Sequence, residues 1–359
     1  MTEKQHPLFE RIERHRRRAG RLREDVVVQA HGGGGKAMRD LIEDLVVREL
    51  GEPNIDEDQA RFSLAELSAR GDRLAFTTDS YVVTPLEFPG ADIGTLAVHG
   101  TINDLAVGGA VPLYLSCGLV IEEGLEVSVL RRILRSMGKA ARDADVRIVT
   151  GDTKVVPKGA ADRLFINTSG VGIIPHDVDV RSNRVEADDA IIVSGMLGDH
   201  GAAILVARGE LQLETDIPSD SAPLHELVRC LLNAVPVHAM RDLTRGGLAA
   251  ALNEIALSSE VGMVVRAEAL PVRREVYGFC ELLGLDPVHL ANEGKLVTFV
   301  PGDRAPDALS ALHNHPLGRD ARIIGQCRSH PPGVVTLDTG FGGERILDML
   351  VGEPLPRIC

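Results

Sequence analysis

Short apolar runs typical of buried strands alternate along this chain with segments whose apolar residues recur at helical spacing. In the first half, these runs predict strands at 26–30, at 74–79 with a continuation at 81–83, and at 113–121, 146–150 and 164–174. Helical patterns lie at 38–50, at 93–107 with a break near Gly100, and at 127–144. Glycine-containing turns at 31–36 and 151–154 follow two of the strands.

The second half repeats this mixture of strands and helices. Strands are predicted at 190–194, 261–266, 296–300, 321–327 and 334–338. Helices are predicted at 199–208, 224–234, 272–283 and 304–314, and one more follows a turn at 238–247 and runs through Ile255. Because both element types intermix in each half, the pattern indicates two α+β domains.

The polar stretch at 175–189 is the best boundary between the two domains. We therefore predict a polar extension at 1–25, a first domain at 26–178, a second domain at 179–338 and a tail at 339–359. Glycines open this tail, and Pro354 and Pro356 disfavour helix near its end. Chain ends of this composition are usually mobile. The tail is expected to be flexible, able to enter a cleft and to swing outward.

Composition narrows the class of protein. A chain of 359 residues is long enough for two cores, and its 44% hydrophobic content is that of a soluble globular protein. No apolar run reaches the roughly 18 residues of a membrane span. The net charge of −13 argues against a nucleic-acid surface. The arginine-rich start lacks the apolar core of a secretory signal. We expect a cytoplasmic protein without nucleic-acid or membrane partners.

Five cysteines form no CxxC pair and leave one unmatched, which suits a reducing compartment. Four of them lie among aliphatic neighbours and are expected to be buried, namely Cys117, Cys230, Cys280 and Cys327. Cys359 differs, because it ends the sequence in an exposed context. Arg357 supplies positive charge nearby, which favours the reactive thiolate. An accidental terminal cysteine is the alternative interpretation.

A glycine run precedes the first long helix. Free backbone N–H groups in such a strand–glycine–helix layout can surround phosphate oxygens. This predicts a phosphate cradle formed by Gly33, Gly34, Gly35 and Lys36. The run is not a Walker A loop, because Ala37 stands where a serine or threonine is required. A flexible linker remains the alternative.

Four acids lie at predicted strand ends or in turns: Asp79, Asp104, Asp152 and Asp242. Carboxylate oxygens hold Mg²⁺ while it also contacts phosphates. Each acid alone is better explained as a capping or turn residue, but together with the glycine run and two lysines they indicate a Mg-nucleotide site for phosphoryl transfer. Neither zinc-protease histidine spacing nor the GxSxG elbow of acyl hydrolases occurs.

Seven blocks carry a family resemblance. The segments HGGGGKAM, TTDSYVVTP, GTINDLAVGGA, GDTKVV, DLTRGGL, NEGKL and PRIC occur in that order. Over residues 26–359 the chain resembles the hydrogenase maturation factor HypE family, the carbamoyl dehydratases. That family belongs to the PurM superfamily of ATP-binding proteins related to aminoimidazole ribonucleotide (AIR) synthetase. The resemblance implies a two-domain PurM-like α+β fold with a flexible C-terminal tail.

The resemblance also implies an activity. A carbamoyltransferase, HypF, would load a carbamoyl group onto Cys359. The chain would then use ATP to dehydrate it to a thiocyanate, and the CN group would pass to iron on a HypC–HypD complex. Homodimers through the first domains are also implied, for which the apolar strands at 74–83, 113–121 and 164–174 offer surfaces.

Roles for individual residues follow from the matched motifs. The catalytic group would be Cys359, Glu293 and Lys154, with Glu293 preferred as proton acceptor because a carboxylate is ordinarily ionised at neutral pH. ATP would contact the glycine run with Lys36, and also Asp79, Asn103, Asp104, Asp152, Thr244 and Arg245. Mg²⁺ would be held by Asp79, Asp104, Asp152 and Asp242.

Two kinds of alternative stay open. One is another superfamily enzyme, of the selenophosphate synthetase or thiamine-phosphate kinase type. The first of these would need a reactive cysteine near the glycine run, where this chain has none before Cys117. The other is a non-catalytic thiol carrier that binds nucleotide only as a regulator.

Overall fold

The structure, a computed structural model, describes residues 22–51, 57–209, 217–352, 355 and 357–359. Two sheets, one in each half of the sequence, organise these residues. The predicted extension at 1–25 lies mostly outside them. Among the described residues, no helix is both long and apolar enough to cross a membrane.

The first half contains a four-stranded sheet and a two-stranded sheet, with helices on one face of the larger one. Helix α1 (Lys36–Leu41) continues through Ile42–Val47, where the bonding is π-helical, and ends with Arg48–Leu50. The other helices are α2 (Leu64–Ser68), α3 (Ile93–Val107) and α4 (Val127–Asp143). The strands are β1 (Arg73–Tyr81), β2 (Glu87–Phe88), β3 (Ala91–Asp92), β4 (Val111–Glu122), β5 (Arg147–Val156) and β6 (Leu164–Ile174).

The second half forms a seven-stranded sheet with helices on both faces. Its strands are β7 (Ala190–Val193), β8 (Ala239–Asp242), β9 (Gly262–Arg266), β10 (Leu296–Val300), β11 (Arg322–Arg328), β12 (Val335–Asp338) and β13 (Glu344–Ile346). Its helices are α5 (Asp199–Ala207), α6 (His225–Ala234), α7 (Gly247–Ser259), α8 (Arg274–Leu283) and α9 (Ala305–His313).

In the first sheet the strand order is β1-β6-β4-β5, antiparallel except for the parallel pair β4–β5. Helices α3 and α4 cover one face, on which Tyr81 is buried. On the other face Leu74 is 58% exposed and Phe76 is 71% exposed. Large apolar side chains left open on a sheet indicate a face that another surface covers.

The second sheet has the order β13-β12-β9-β11-β7-β10-β8. Helix α7 packs on one face, while α6 and α9 pack on the other. Helices α5 and α8 instead contribute to the core of the first half, through Ile204 and Phe279. The two halves therefore share apolar contacts, and the junction between them is a packed surface.

Three local predictions are wrong. Residues 26–30 form no strand: only Val26 makes a bridge, and a 3-10 helix at Gln29–Gly32 follows because His31 Nδ1 accepts the Val28 N–H at 3.0 Å. Helix α3 does not break at Gly100, whose missing side chain makes room for the ring of Tyr81. Residues 151–154 form no turn but lie inside β5.

The cysteine predictions hold for Cys117, Cys280 and Cys327, which are buried. The prediction for Cys230 is wrong: it is exposed, because the buried face of α6 is formed by Leu227 and Leu231. Cys359, expected in an exposed context, is half-buried in this structure.

The predicted tail contains one element that sequence patterns did not indicate. Strand β13 pairs antiparallel with β12, and Leu347 behind it is buried. Residues 355 and 357–359 lie against the first half, where Leu355 and Ile358 join its apolar core. Pro354 and Pro356 fall outside the described residues.

Candidate active site at the domain junction

Three of the predicted acids meet where the two halves join. Asp79 lies near the end of β1, Asp104 on α3 and Asp242 at the end of β8. The Thr77 hydroxyl donates to Asp104 at 2.8 Å, and Arg245 forms an ion pair with Asp79 at 3.9 Å. Elements from both halves therefore build one acidic cluster.

Burial and mutual repulsion raise the pKa values of two acids in this cluster. Burial, together with the neighbouring charges of Asp104 and Asp79, raises the pKa of Asp242 to about 7, against the opposing effect of Arg241. The pKa of Asp104 is raised by burial and by Asp79, although its bond from Thr77 acts in the other direction. A cation bound beside such crowded carboxyl groups lowers their pKa values and so favours the ionised form.

Glu293 lies beside the same cluster, almost fully buried. Burial raises its pKa well above the ordinary value, and the negative charges of Asp242, Asp220 and Asp79 add to the effect. Its Oε1 atom is buried without a hydrogen-bond partner among the described residues. Glu293 is therefore shifted toward its protonated form relative to an ordinary glutamate. A carboxylate with a raised pKa is a stronger base than an ordinary glutamate.

Asn103 and Asp220 hold the backbone of the Glu293 loop. Asn103 Nδ2 donates to the Glu293 carbonyl at 3.2 Å, and its Oδ1 accepts the Leu224 N–H at 2.7 Å. Asp220 accepts the Glu293 N–H at 2.9 Å and the ammonium group of Lys295 at 3.1 Å. Asn103, predicted to contact nucleotide, thus uses its amide to join the two halves.

Glycine at position 294 permits this close approach. A Cβ atom there would lie 2.0 Å from the Asp220 carbonyl oxygen. The sequence did not indicate Asp220, because it belongs to an aperiodic polar segment and its partners are distant in sequence.

Thr244, predicted to contact ATP, lies in the turn before α7, where its carbonyl accepts the Gly247 N–H at 2.9 Å.

A second group of predicted residues lies at the far edge of the first sheet. Asp152 and Lys154 project from β5 and form an ion pair at 3.3 Å. The glycine run lies against the same strand, since a Cβ on Gly32 would clash with Val155. Gly33, Gly34, Gly35 and Lys36 are exposed there. A cavity of about 230 Å³ beside them is lined in part by Met38 and Asp152.

One chain does not bring these two groups together. Across the sheet, Asp152 of β5 pairs with Gly118 of β4, which pairs with Asn167 of β6, which pairs with Ser80 of β1. Asp152 is therefore three strand spacings, about 14 Å, from β1. Asp152 also shares the open face with Ser80, whereas Asp79 points to the opposite face. Within one chain, Asp152 therefore lies apart from Asp79, Asp104 and Asp242, and the role of all four aspartates in holding Mg²⁺ stays a prediction.

The junction nevertheless fits a magnesium ion. Among described residues, no three His, Cys, Asp or Glu side chains converge tightly enough to hold a metal alone. Mg²⁺ usually takes only one or two carboxylates and completes its shell with phosphates and water. Asp79, Asp104 and Asp242 supply such oxygens, and a bound cation would offset the burial and repulsion that raise the pKa values of Asp104 and Asp242.

The end of the tail lies close to this cluster. The Val82 N–H, directly after β1, donates to the Cys359 carbonyl at 3.1 Å. Tyr81 is buried beside it. Burial is the main cause that raises the pKa of this phenol, and the negative charges of Asp79 and Glu293 raise it as well. Cys359, Asp79 and Glu293 therefore all lie near the end of β1.

Replacing Asp242 by asparagine tests the electrostatics of the cluster. Because the folded pKa is about 7 against an ordinary 3.8, the stabilising effect of the bound proton is lost as pH rises through this interval. In the absence of Mg²⁺ and nucleotide, Asp242→Asn should raise Tm by several degrees at about pH 8 and by less at about pH 5. Thermal unfolding at both pH values measures this difference. Equal shifts at both would contradict the assignment.

Family models match both halves of the chain. Residues 57–174 match the N-terminal domain of AIR synthase related proteins, and residues 186–338 match the C-terminal domain. The predicted two-domain α+β fold of the AIR synthetase-related superfamily is thereby confirmed. The boundaries at 26–178 and 179–338 stay a prediction.

Similar proteins identify the family within this superfamily. The chain is 57% identical over 339 residues to carbamoyl dehydratase HypE of Rhodobacter capsulatus, covering 94% of this chain and 99% of that one. The crystal structure of hydrogenase maturation protein HypE in complex with ATP superposes with a TM-score of 0.87 at 48% identity, covering 92% and 99%. A structure of a HypE–HypF complex matches at 46% identity and TM-score 0.74, covering 77% and 90%.

This identity extends over nearly the whole chain and includes both domains. It separates the chain from the selenophosphate synthetase and thiamine-phosphate kinase alternatives, which share the superfamily fold. The chain belongs to the HypE family of hydrogenase maturation proteins, the carbamoyl dehydratases.

Proposed function

We propose that this chain dehydrates a carbamoyl group carried on the thiol of its own Cys359, using ATP, and supplies the resulting CN group to hydrogenase iron. The observation that supports the proposal is the bond from the Val82 N–H, directly after β1, to the Cys359 carbonyl, next to Tyr81, whose pKa the charges of Asp79 and Glu293 raise. A tail end held near acidic and proton-accepting groups is close to the partners that dehydration needs.

The proposed reaction removes oxygen as phosphate. Carbonyl oxygen of the S-carboxamide attacks the γ-phosphorus of ATP, and the bond to ADP breaks. Two N–H protons are then removed, the C–O bond breaks, and its electron pair leaves with phosphate as the C≡N bond forms. The balance is S-carboxamide plus ATP giving thiocyanate, ADP and phosphate. No oxidant or reductant is needed.

Asp79, Asp104 and Asp242 would hold Mg²⁺ at the ATP phosphates. Mg²⁺ would supply positive charge that offsets the charge developing on the transferred phosphoryl group. Arg245, already paired with Asp79, adds a cation from the second domain. The ATP-bound HypE relative supports nucleotide binding by this fold.

Glu293 would accept the amide protons. Its raised pKa suits a base that works near neutral pH, and its unpartnered buried oxygen offers an acceptor for a substrate N–H. Lys154 would polarise the carbonyl oxygen or share proton removal. Because Lys154 lies at the opposite sheet edge, this role requires a second protomer.

A homodimer would bring the two groups of residues together. The open face of the first sheet carries Phe76 and Leu74, which a second copy could cover. If the two-fold axis runs along the strands, β5 of one protomer lies over β1 of the other. The acidic cluster of one protomer would then face the β5 edge of the other across the interface. That edge carries the glycine run of the partner subunit with the partner's Lys36, the partner's Asp152 and the partner's Lys154.

Mixing two inactive variants tests this shared site. Lys154→Ala and Glu293→Gln homodimers should each be inactive, but randomly mixed dimers should recover about a quarter of the parent activity. Half of the dimers are then mixed, and each has one intact site. Co-expression of differently tagged chains, followed by an activity assay, measures the recovery. No recovery in purified mixed dimers would contradict a site shared between protomers.

The partners follow from the proposed chemistry. The solved HypE–HypF complex supports HypF as a partner of this chain, and HypF would be the carbamoyl donor. A HypC–HypD complex carrying iron would accept the CN group. Both transfers require Cys359 to leave the junction, for which the predicted flexible tail is suited.

Phosphate counting tests the proposed function against a nucleotide-regulated thiol carrier. The carbamoylated chain should release one phosphate for each carbamoyl group that it consumes, because the leaving oxygen departs on that phosphate. Quenched samples analysed for free phosphate and for the modified C-terminal peptide give both quantities. ATP binding without phosphate release would favour the carrier.

A further inference from the structure

The main chain of the tail end is held by groups from both halves of the molecule. His200 Nε2 donates to the Ile358 carbonyl at 2.7 Å. Arg208 Nη2 and the Thr84 N–H both donate to the Arg357 carbonyl, at 2.8 and 3.3 Å. Together with the Val82 bond to Cys359, all three consecutive carbonyl groups at the tail end are paired. None of these contacts uses the cysteine side chain.

His200 is fixed for this purpose. It is fully buried at the start of α5. Its ring makes a T-shaped contact with the ring of Phe88, and the ring centroids are 5.7 Å apart. The Ser219 hydroxyl lies 2.9 Å from Nδ1. Since Nε2 faces a carbonyl, it must carry the hydrogen, and Nδ1 accepts from Ser219. Burial lowers the pKa of His200, which keeps this neutral form. The mechanism proposed above gives this buried imidazole no role.

The tail backbone is bent to meet these donors. Arg357 adopts a left-handed conformation, with φ of 57°, which is rare for residues other than glycine. Its guanidinium group pairs with Asp162, in the loop before β6. A strained backbone persists only where surrounding contacts determine it. The docked geometry is therefore a specific one.

Two apolar side chains complete the docking. Leu355 and Ile358 are 6% and 5% exposed, and both belong to the apolar core that α5 and α8 share with the first half. Burying such side chains stabilises docking, each by an amount comparable to a few hydrogen bonds. The polar contacts then select one register among the positions that apolar burial alone would permit.

We propose that His200 is a positioning residue which, with Arg208 and Thr84, forms a latch that reads the main chain of residues 357–358 and sets Cys359 in register at the domain junction. This inference rests on the proposed function, because the docked thiol is taken as the reacting one. Because the hydrogen bonds of the latch go only to main-chain carbonyl groups, they do not depend on whether the cysteine is unmodified, carbamoylated or cyanated. One latch therefore serves each loaded state of the tail.

Thiol accessibility tests the latch without nucleotide. The full chain is treated with iodoacetamide, and alkylation of Cys359 is followed by mass spectrometry of the C-terminal peptide. Loss of one buried hydrogen bond should raise the alkylation rate of Cys359 about fivefold to tenfold in His200→Ala. His200→Gln, which restores an N–H donor, should return most of the protection. An unchanged rate in His200→Ala would overturn the proposal.

A matched control separates positioning from general loosening. His313 makes the same type of contact, from Nε2 to the Ala321 carbonyl at 2.9 Å, but lies in the second domain away from the tail. His313→Ala should leave Cys359 alkylation unchanged; an increase equal to that in His200→Ala would overturn the proposal. If His200→Ala fails to fold, Arg208→Met supplies the test, since it removes a donor from the surface.

The latch and the proposed function fail in different ways. The latch variants should slow carbamoyl consumption while the KM for ATP stays unchanged, because the nucleotide site is intact. Faster alkylation in a chain that never forms thiocyanate would support the latch and reject the dehydration. Normal thiocyanate formation with unaltered alkylation in His200→Ala would reject the latch alone.

Discussion

Replacing Glu293 by glutamine is expected to slow thiocyanate formation by about 10²–10⁴-fold while ATP binding is retained. Glutamine keeps the size of the side chain and its backbone contacts to Asn103 and Asp220. It removes only the capacity to accept a proton. The variant should therefore bind nucleotide and dock its tail normally, yet fail at the step in which the amide protons leave.

The measurement is single-turnover conversion of the carbamoylated chain, with nucleotide affinity determined in parallel by calorimetry. Glu281→Gln is a suitable control, because Glu281 is exposed on α8, outside the junction. It should convert at the parent rate. Full activity in Glu293→Gln would assign the proton transfer to another group, and loss of ATP binding would assign Glu293 to the nucleotide site.

Replacing Cys359 by alanine should abolish carbamoyl acceptance altogether, because no other thiol among the described residues is both accessible and held beside the end of β1. Cys117, Cys280 and Cys327 are buried, and Cys230 is exposed on α6. Carbamoylation by a HypF partner, followed by intact-mass analysis, measures acceptance directly.

The exposed Cys230 provides the matched control for this experiment. If exposure alone decided which thiol is loaded, Cys230→Ala would lose the carbamoyl group and Cys359→Ala would retain it. The account predicts the opposite pair of results. A Cys359→Ala chain that still accepts one carbamoyl group would remove the tail from the mechanism.

Most strands and helices of this fold follow from hydrophobic spacing alone. Strands such as β6 and β10, and helices such as α4, were predicted to within one or two residues, because each buries a continuous or periodic apolar set. The predicted strand at 26–30 failed because the His31 side chain, rather than a neighbouring strand, accepts the Val28 N–H. They also failed where close parallel packing continued β5 through Gly151, which had suggested a turn.

The candidate site was predictable in its residue types but not in its grouping. Motif order indicated Asp79, Asp104, Asp242 and Glu293, which the junction brings together. It gave no sign that Asp152 lies three strands away, because spacing along the chain does not report sheet order.

The protonation state of Glu293 also depends on tertiary structure. An isolated glutamate is ionised at neutral pH, but burial beside three acids raises the pKa of Glu293 and shifts it toward the protonated form. His200 and Asp162 were missed for a related reason: each gains its role only from contact with a tail more than 150 residues away in sequence. Long-range contacts of this kind leave no local pattern in the sequence.

The most direct test of the account is the mass of the C-terminal peptide after the carbamoylated chain meets Mg-ATP. The account predicts that the peptide ending in Cys359 loses the mass of one water molecule, at a rate that depends on both ATP and Glu293. A peptide that keeps its full carbamoyl mass while ATP is hydrolysed would contradict the claim that this chain makes a nitrile on its own terminal sulfur.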